Sequence, residues 1–538
     1  MMRRAFPLML TATLLAGCSL APKYVRPELP VPTSWPVGDA YLRQSEAALP
    51  AITYRDVFRD ARLQRIVEQA LANNRDLRIA AANIAAARAQ YRIQRADLLP
   101  QIDGNARYSY SGGGNGSTTT TGTAVGGGTG TGGTGTGTGG TGTGGTGTGT
   151  GTGGTGTGTG GTGTGTGGTV ISSGGRGSSF SVNLGVTAFE LDLFGRIRSL
   201  TGAALDRYFG TEAAARATRL TLVGDIADAW LTYAADASLL KIAQDTATSA
   251  AQSVRLTRQR LEGGIAPRTD LRQAEQVLET ANADLALQRT ALAQDVNALQ
   301  LLVGAPVDPA LLAGSIDEAQ ASVAALPAGL DSGVLLRRPD VVQAEYELRA
   351  ANAEIGAARA ALFPRISLTG LVGFASNALT SLFSGGAFNY SVTPQVSVPI
   401  FQGGAGVGGV EFTRAQRDAA LASYERAIQI AFRETADALA RQGTFAEQLR
   451  ANTAFRAAAL DTLNLTTLRY RGGIDTFLTS LDAQRAYYTA QRNLVQTQLI
   501  GASNAVTLYR VLGADSLLEV APNGPQPVTA AGTPRPDR

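Results

Sequence analysis

The sequence predicts an α+β membrane protein made of a twofold internal repeat, each half supplying long α-helices and two of the chain's four β-strands. Three observations carry this reading. The chain matches itself at a fixed offset, two segments alternate apolar and polar residues with a period of two, and runs of about sixty residues lack any strong helix breaker.

The repeat is visible in short strings. RLEGGIAPRTDLRQAE carries Gly263-Gly264-Ile265 and RYRGGIDTFLTSLDAQ carries Gly472-Gly473-Ile474, an offset of 209 residues that Val303-Gly304 and Leu512-Gly513 share. Upstream, Leu99-Pro100 aligns with Phe363-Pro364 at an offset of 264, so the first half contains about 57 additional residues between Pro100 and Phe194. That surplus coincides with a Gly/Thr-rich insertion at 112–169, whose residues 126–169 are glycine and threonine alone. Such a tract cannot bury enough apolar surface to offset its ordering entropy, and a flexible, uncharged loop is expected.

The N-terminus opens on Arg3 and Arg4 before an apolar run to Leu15, the layout of a cleavable export signal over residues 1–17. It closes on Leu15-Ala16-Gly17-Cys18, which resembles the bacterial lipobox and marks Cys18 as the lipidated first residue of the mature protein. Cys18 is the one cysteine of 538 residues, so disulfide pairing within the chain is excluded. Ser19 behind it is the kind of residue that directs such lipoproteins to the outer membrane. A Pro-rich segment over 18–54 follows.

SSFSVNLGVTAFELDLFG places Phe180, Val182, Leu184, Val186 and Ala188 on one face and polar or small residues on the other. FNYSVTPQVSVPIF repeats the pattern, with QIDGNARYSYS and RISLTGLVGF as upstream partners. Strands of about ten residues with one apolar face suit a membrane β-barrel; a soluble sheet with one buried face is the simpler alternative. Four strands cannot close a barrel, so several chains must combine. Two copies give eight strands and three give twelve.

The remainder is helical. From Glu411 to Arg471 there is no proline and one glycine, Gly443, and Thr211 to Glu262 is broken only by Gly224. At 1.5 Å per residue the longer run extends about 90 Å. These helices are too polar to cross lipid and suit a long side-by-side bundle. Shorter helices are expected over 61–98, 268–302, 339–362 and 479–512. The first half then spans 55–304, a connecting segment 305–338, the second half 339–513, and a flexible Pro-rich tail 514–538.

Chemistry is constrained by what is missing. The chain has no histidine, which removes histidine-based nucleophilic triads and the commonest zinc ligand. The formal charge is +4, or +2 once Arg3 and Arg4 leave with the signal, and no basic run is interleaved with aromatics, so nucleic acid is not an expected partner. No phosphate loop or dinucleotide fingerprint is present. Neither an enzyme nor a cofactor is expected beyond the covalent lipid on Cys18.

VFRDARLQRIVEQALANNRDLRIAAANIAAARA, RRPDVVQAEYELRAANAEIGAARAALFPRISL, VPIFQGG and RYRGGIDTFLTSLDAQRAYY stand in order with the lipobox and APKYVRPELPVPTSW. Together they resemble the outer-membrane efflux duct (TolC) family, in its lipoprotein branch serving resistance-nodulation-division (RND) pumps. The resemblance implies a homotrimer whose twelve-stranded outer-membrane barrel, set in outer-membrane lipid, continues as a long α-helical barrel across the periplasm. It also implies two partners, a periplasmic membrane-fusion adaptor and an inner-membrane RND pump, with drugs or other small toxic compounds as cargo. In that frame the Gly/Thr tract and residues 376–386 face the exterior. A duct for type I protein secretion and a surface display or adhesion protein using the tract are the alternatives.

By resemblance, Thr269 and Asp270 in the first half and Tyr470 and Asp482 in the second match positions that constrict or latch the periplasmic aperture. A ring of three Asp482 carboxylates would repel itself and favour cations. A helix-capping role is open for both acids, because Asp270 with Gln273 and Thr479 with Asp482 have capping-pair spacing. Where some members carry a latching arginine, this chain has Asp475. Gly263, Gly264, Gly472 and Gly473 are turn residues first, and by resemblance an adaptor-contact surface.

Overall fold

A computed structural model of the chain describes residues 20–28, 30–32, 34–36, 41, 53–111, 177–324 and 332–528. The signal segment, Cys18 and the 112–169 insertion lie outside these residues. The described chain divides into a helical unit and a strand unit, the latter comprising residues 102–187 and 369–393.

The strand unit is one sheet in the order β1-β2-β3-β4, with β1 at Ile102–Ser111, β2 at Gly177–Leu191, β3 at Arg365–Ser376 and β4 at Phe388–Ser397. β1 runs antiparallel to β2, with Ile102 opposite Val186 and Tyr108 opposite Phe180. The rings of that last pair meet at a tilt with centroids 4.8 Å apart, the cross-strand aromatic contact that pins a register. Among the described residues nothing covers the apolar side chains of β4: Tyr390 is 76% exposed and Val392 68%. Such a face demands another apolar medium.

In the helical unit the repeat shows in closely matched helix lengths. The short α1 (Tyr54–Val57) precedes α2 (Ala61–Asn73) and α3 (Arg75–Ala96); α4 spans Arg196–Glu262 and α5 Arg268–Val303. After α6 (Ile316–Ala321) come α7 (Pro339–Ala360), α8 (Ala405–Arg471) and α9 (Phe477–Val511). α3 and α7 have 22 residues each, α4 and α8 67 each, and α5 and α9 36 and 35. The two longest begin before the runs read from the sequence, each after a left-handed glycine, Gly195 or Gly404. Among the described residues no helix is long and apolar enough to cross a membrane.

Two expectations are corrected. The helix over 61–98 is broken at Asn74, whose Oδ1 accepts from the Leu77 N–H at 3.0 Å while Nδ2 donates to the Leu302 carbonyl at 2.7 Å. A side chain that caps α3 and also ties it to α5 replaces one turn of continuous helix. The expected flexible tail is packed at its start: Leu518–Glu519 pairs with Gln526–Pro527, Leu518 is fully buried, and the Tyr346 hydroxyl donates to the Ala521 carbonyl at 3.0 Å.

The core centres on Trp230, whose Nε1 donates to the Leu311 carbonyl at 3.0 Å, with Tyr424 and Tyr509 also buried. The N-terminal segment is strapped over α7 and α8. Asn352 donates to the Pro22 carbonyl at 2.7 Å, Arg26 grips buried Glu345 in bidentate fashion at 3.0 and 2.7 Å, and the Trp35 ring stacks on Phe432 at 4.9 Å.

Candidate functional site

The predicted site residues collect where α4 turns into α5 and α8 into α9. Both helices stop at a glycine pair, and the second glycine takes a left-handed backbone, φ 71° at Gly264 and 74° at Gly473. The hydrogen bonds repeat: Ile265 N–H to the Arg260 carbonyl at 2.8 Å and Gly264 N–H to Leu261 at 3.0 Å, then Ile474 N–H to Arg469 at 2.9 Å and Gly473 N–H to Tyr470 at 3.0 Å. This double closure satisfies the last helix carbonyls and needs a residue without Cβ at its centre. It also thrusts Ile265 and Ile474 outward, 71% and 68% exposed.

Side chains then break the symmetry. Arg469 donates twice to the Asp475 carboxylate, at 2.6 and 2.9 Å, clamping its own turn. The hydrogen bonds from Arg469 hold the Asp475 carboxyl below the usual carboxylate range. In the first half the matching acceptor position is Ala266, and Arg260, the mate of Arg469, does something else. Its Nη1 donates to the Tyr470 carbonyl at 3.1 Å and its guanidinium lies 4.7 Å above the Tyr470 ring. The first hairpin is thereby tied to the second.

Tyr470 is 6% exposed, lies tilted against Phe477 with ring centroids 5.3 Å apart, and sits in a cluster with Val254, Leu271, Ala274 and Leu481. Its hydroxyl is buried without a hydrogen-bond partner, as is Nε of Arg260. A cavity of about 730 Å³ lies beside this cluster, lined by residues including Ser249, Thr467, Tyr470, Phe477 and Tyr487.

Neither candidate acid caps a helix. α5 starts after Pro267 and α9 after Thr476, and neither makes a side-chain cap bond. Asp270 is instead in the first turn of α5, where its charge suits the helix dipole. Asp482 lies in the second turn of α9 with its side chain 64% exposed, 3.7 Å from Arg485. Thr269 is exposed. Arg260 and Arg469 were missed by sequence reasoning, although aligning the halves pairs them. Among the described residues no cluster of acids could hold a metal ion.

A family model described as "Outer membrane efflux protein" matches residues 66–140, 149–305 and 330–514. The chain is 39% identical over 515 residues to the probable efflux pump outer membrane protein TtgC of Pseudomonas putida, covering 95% of this chain and 96% of that one. It is 36% identical over 505 residues to the outer membrane protein OprJ of Pseudomonas aeruginosa, with 94% of each covered. Among solved structures it resembles the open state of the Neisseria gonorrhoeae MtrE outer membrane channel, with TM-score 0.73 and 31% identity over 92% of this chain and 98% of that one. A membrane protein from Pseudomonas aeruginosa gives TM-score 0.72 and 34% identity, over 92% and 100%.

Proposed function

The chain belongs to the outer membrane efflux protein family, a transport duct rather than an enzyme, and from that premise we propose how this efflux channel is assembled, anchored and sealed. Three copies combine their four strands into a twelve-stranded barrel, which gives the uncovered apolar face of β4 its lipid and closes every strand edge. The helical units line a duct below it. Small organic compounds are the cargo, in keeping with the antibiotics, toluene and solvents in the names of relatives from Pseudomonas putida. An inner-membrane RND pump selects and drives them, and a periplasmic adaptor joins pump to duct.

Cys18 carries the lipid. Arg359 and Asn352 hold the carbonyls of Leu20 and Pro22 near the end of α7, and β3 starts five residues after that helix. The outward-facing loops, the Gly/Thr tract among them, tolerate length at little cost to the fold.

The turns at Gly263-Gly264 and Gly472-Gly473 form the periplasmic tip and offer Ile265 and Ile474 to the adaptor. Asp482 narrows the aperture as a ring of three exposed carboxylates, with Thr269 and Asp270 of the first hairpin nearby in the seal. Asp475 is occupied by its own Arg469, so the arginine latch of other members is replaced by the tie from Arg260 to Tyr470. The observation that carries this reading is the exposed Asp482 side chain, free of any capping duty.

Single-channel conductance in a planar bilayer tests it. The unaltered protein is expected to show a small, cation-preferring conductance, and Asp482→Ala a larger one with weakened cation preference. Identical conductance and selectivity in both would place the constriction elsewhere.

A further inference from the structure

In the first hairpin Asp236 of α4 stands 29 residues before Ile265 and Asp295 of α5 stands 30 after it, so the antiparallel helix pair sets the two acids at one level, where each perturbs the other's carboxyl. Both are half-buried, and Oδ2 of Asp295 is buried with no donor to satisfy it. Among the described residues no Lys or Arg pairs with either carboxyl. On α4, Tyr233 lies near Asp295, and Lys241 is engaged 3.7 Å from Asp245. On α6, which donates from the Ile316 N–H to Ser238 of α4 at 2.9 Å, Asp317 accepts from Gln498 of α9 at 2.5 Å and Glu318 accepts from Arg62 of α2 at 2.7 Å. Two facing carboxylates without a cation repel strongly unless they share a proton.

The repeat supplies an internal comparison. At the 209-residue offset the mates of Asp236 and Asp295 are Phe445 and Asn504. Asn504 is buried, and its amide donates to the Ala438 carbonyl of α8 at 3.0 Å. Phe445 lies over Gly501, where an added Cβ would stand 2.1 Å from the ring. The second half therefore fills this crossing with a neutral donor and an apolar ring. The first half has two acids of similar size to the asparagine, which can offer a donor only when one is protonated.

We propose that Asp236 and Asp295 form a proton-operated clasp between α4 and α5. With one proton shared, the carboxyls bond across the helix pair; once it is lost they repel, and the first hairpin loosens while the second does not respond. Burial and the facing charge push the Asp295 carboxyl up to about 7, and burial raises Asp236 as well. A carboxyl raised in the folded state binds its proton more tightly there than in the unfolded chain. Its stabilisation is full in acid below the ordinary carboxylate range and declines as pH rises towards about 7, then stays flat.

Hydrogen exchange by mass spectrometry on the full chain, at pH 5.5 and 8 with times scaled for base catalysis, tests the clasp. Peptides around residues 229–243 and 288–302 are expected to open at least tenfold more readily at pH 8, since one proton gives roughly a tenfold change per pH unit below its pKa. Peptides around 438–452 and 497–511 should show no such difference. Asp295→Asn, which copies the second half, and Asp236→Asn should each abolish the pH response while keeping the region protected. A first hairpin with no pH response in the unaltered protein overturns the proposal, whatever the variants do, as does a response that survives in Asp295→Asn. The clasp does not depend on the aperture reading: a duct constricted away from Asp482 would still show it.

Discussion

Arg260 and Tyr470 are 210 residues apart in sequence, yet the guanidinium of one lies 4.7 Å over the ring of the other and donates to its carbonyl at 3.1 Å. This one side chain joins the turn of the first hairpin to the turn of the second. A cation over a ring as buried as that of Tyr470 contributes about 1–2 kcal/mol, and a hydrogen bond from a charged donor about 2 kcal/mol.

Arg260→Ala should therefore free the second hairpin and raise the leak conductance of the purified channel about tenfold or more. Arg260→Lys, which keeps the charge but loses the planar fork, should fall between the two. Tyr470→Phe should change little, because the Tyr470 hydroxyl has no partner and the ring and backbone carbonyl remain. An Arg260→Ala channel as tight as the unaltered one would remove this contact from the sealing mechanism.

The pair from Arg469 to Asp475 should behave differently, since it bridges one turn and is open to water. Asp475→Asn is expected to leave the melting temperature unchanged, because the backbone closure at Gly472 and Gly473 persists. It should speed tryptic cutting after Arg469, whose side chain is no longer held. Because the carboxyl is held below its ordinary range, the protection should persist through mildly acidic pH and vanish only in stronger acid. Cutting rates equal in variant and parent would show that the pair does not order the turn.

The short hairpin after α9 should contribute to stability. Leu518 is fully buried with Phe209, Val342 and Tyr346, so Leu518→Ala should cost about 3 kcal/mol, within the range for a large core side chain cut back to alanine. Thermal melting in detergent would register this as a lower midpoint. An unchanged midpoint would return residues 514–528 to the status of a loose tail.

Much of this architecture was legible in the chain because periodicity is a local property. The 209-residue offset, the period-two strands and the breaker-free helices need only spacing, and the glycine pairs at 263–264 and 472–473 announce two helix stops. The break at Asn74 was not legible, since asparagine inside a helical pattern costs little until its amide finds the Leu302 carbonyl far along the chain. Capping spacing misled at Thr479 and Asp482 because α9 begins at Phe477, before the pair.

By itself the sequence determined the repeat, the exclusion of histidine chemistry and of internal disulfides, and the residues that occupy each turn. Only the tertiary structure decided what those residues do. Arg260 and Arg469 occupy matching positions, but one reaches across to Tyr470 and the other closes on Asp475 because Ala266 denies the first a local acceptor. The facing of Asp236 and Asp295 is decided in the same way, by the antiparallel packing of α4 on α5. Covalent order sets which donors and acceptors exist; packing sets which of them come within 3 Å, where desolvation and direction give them their strength.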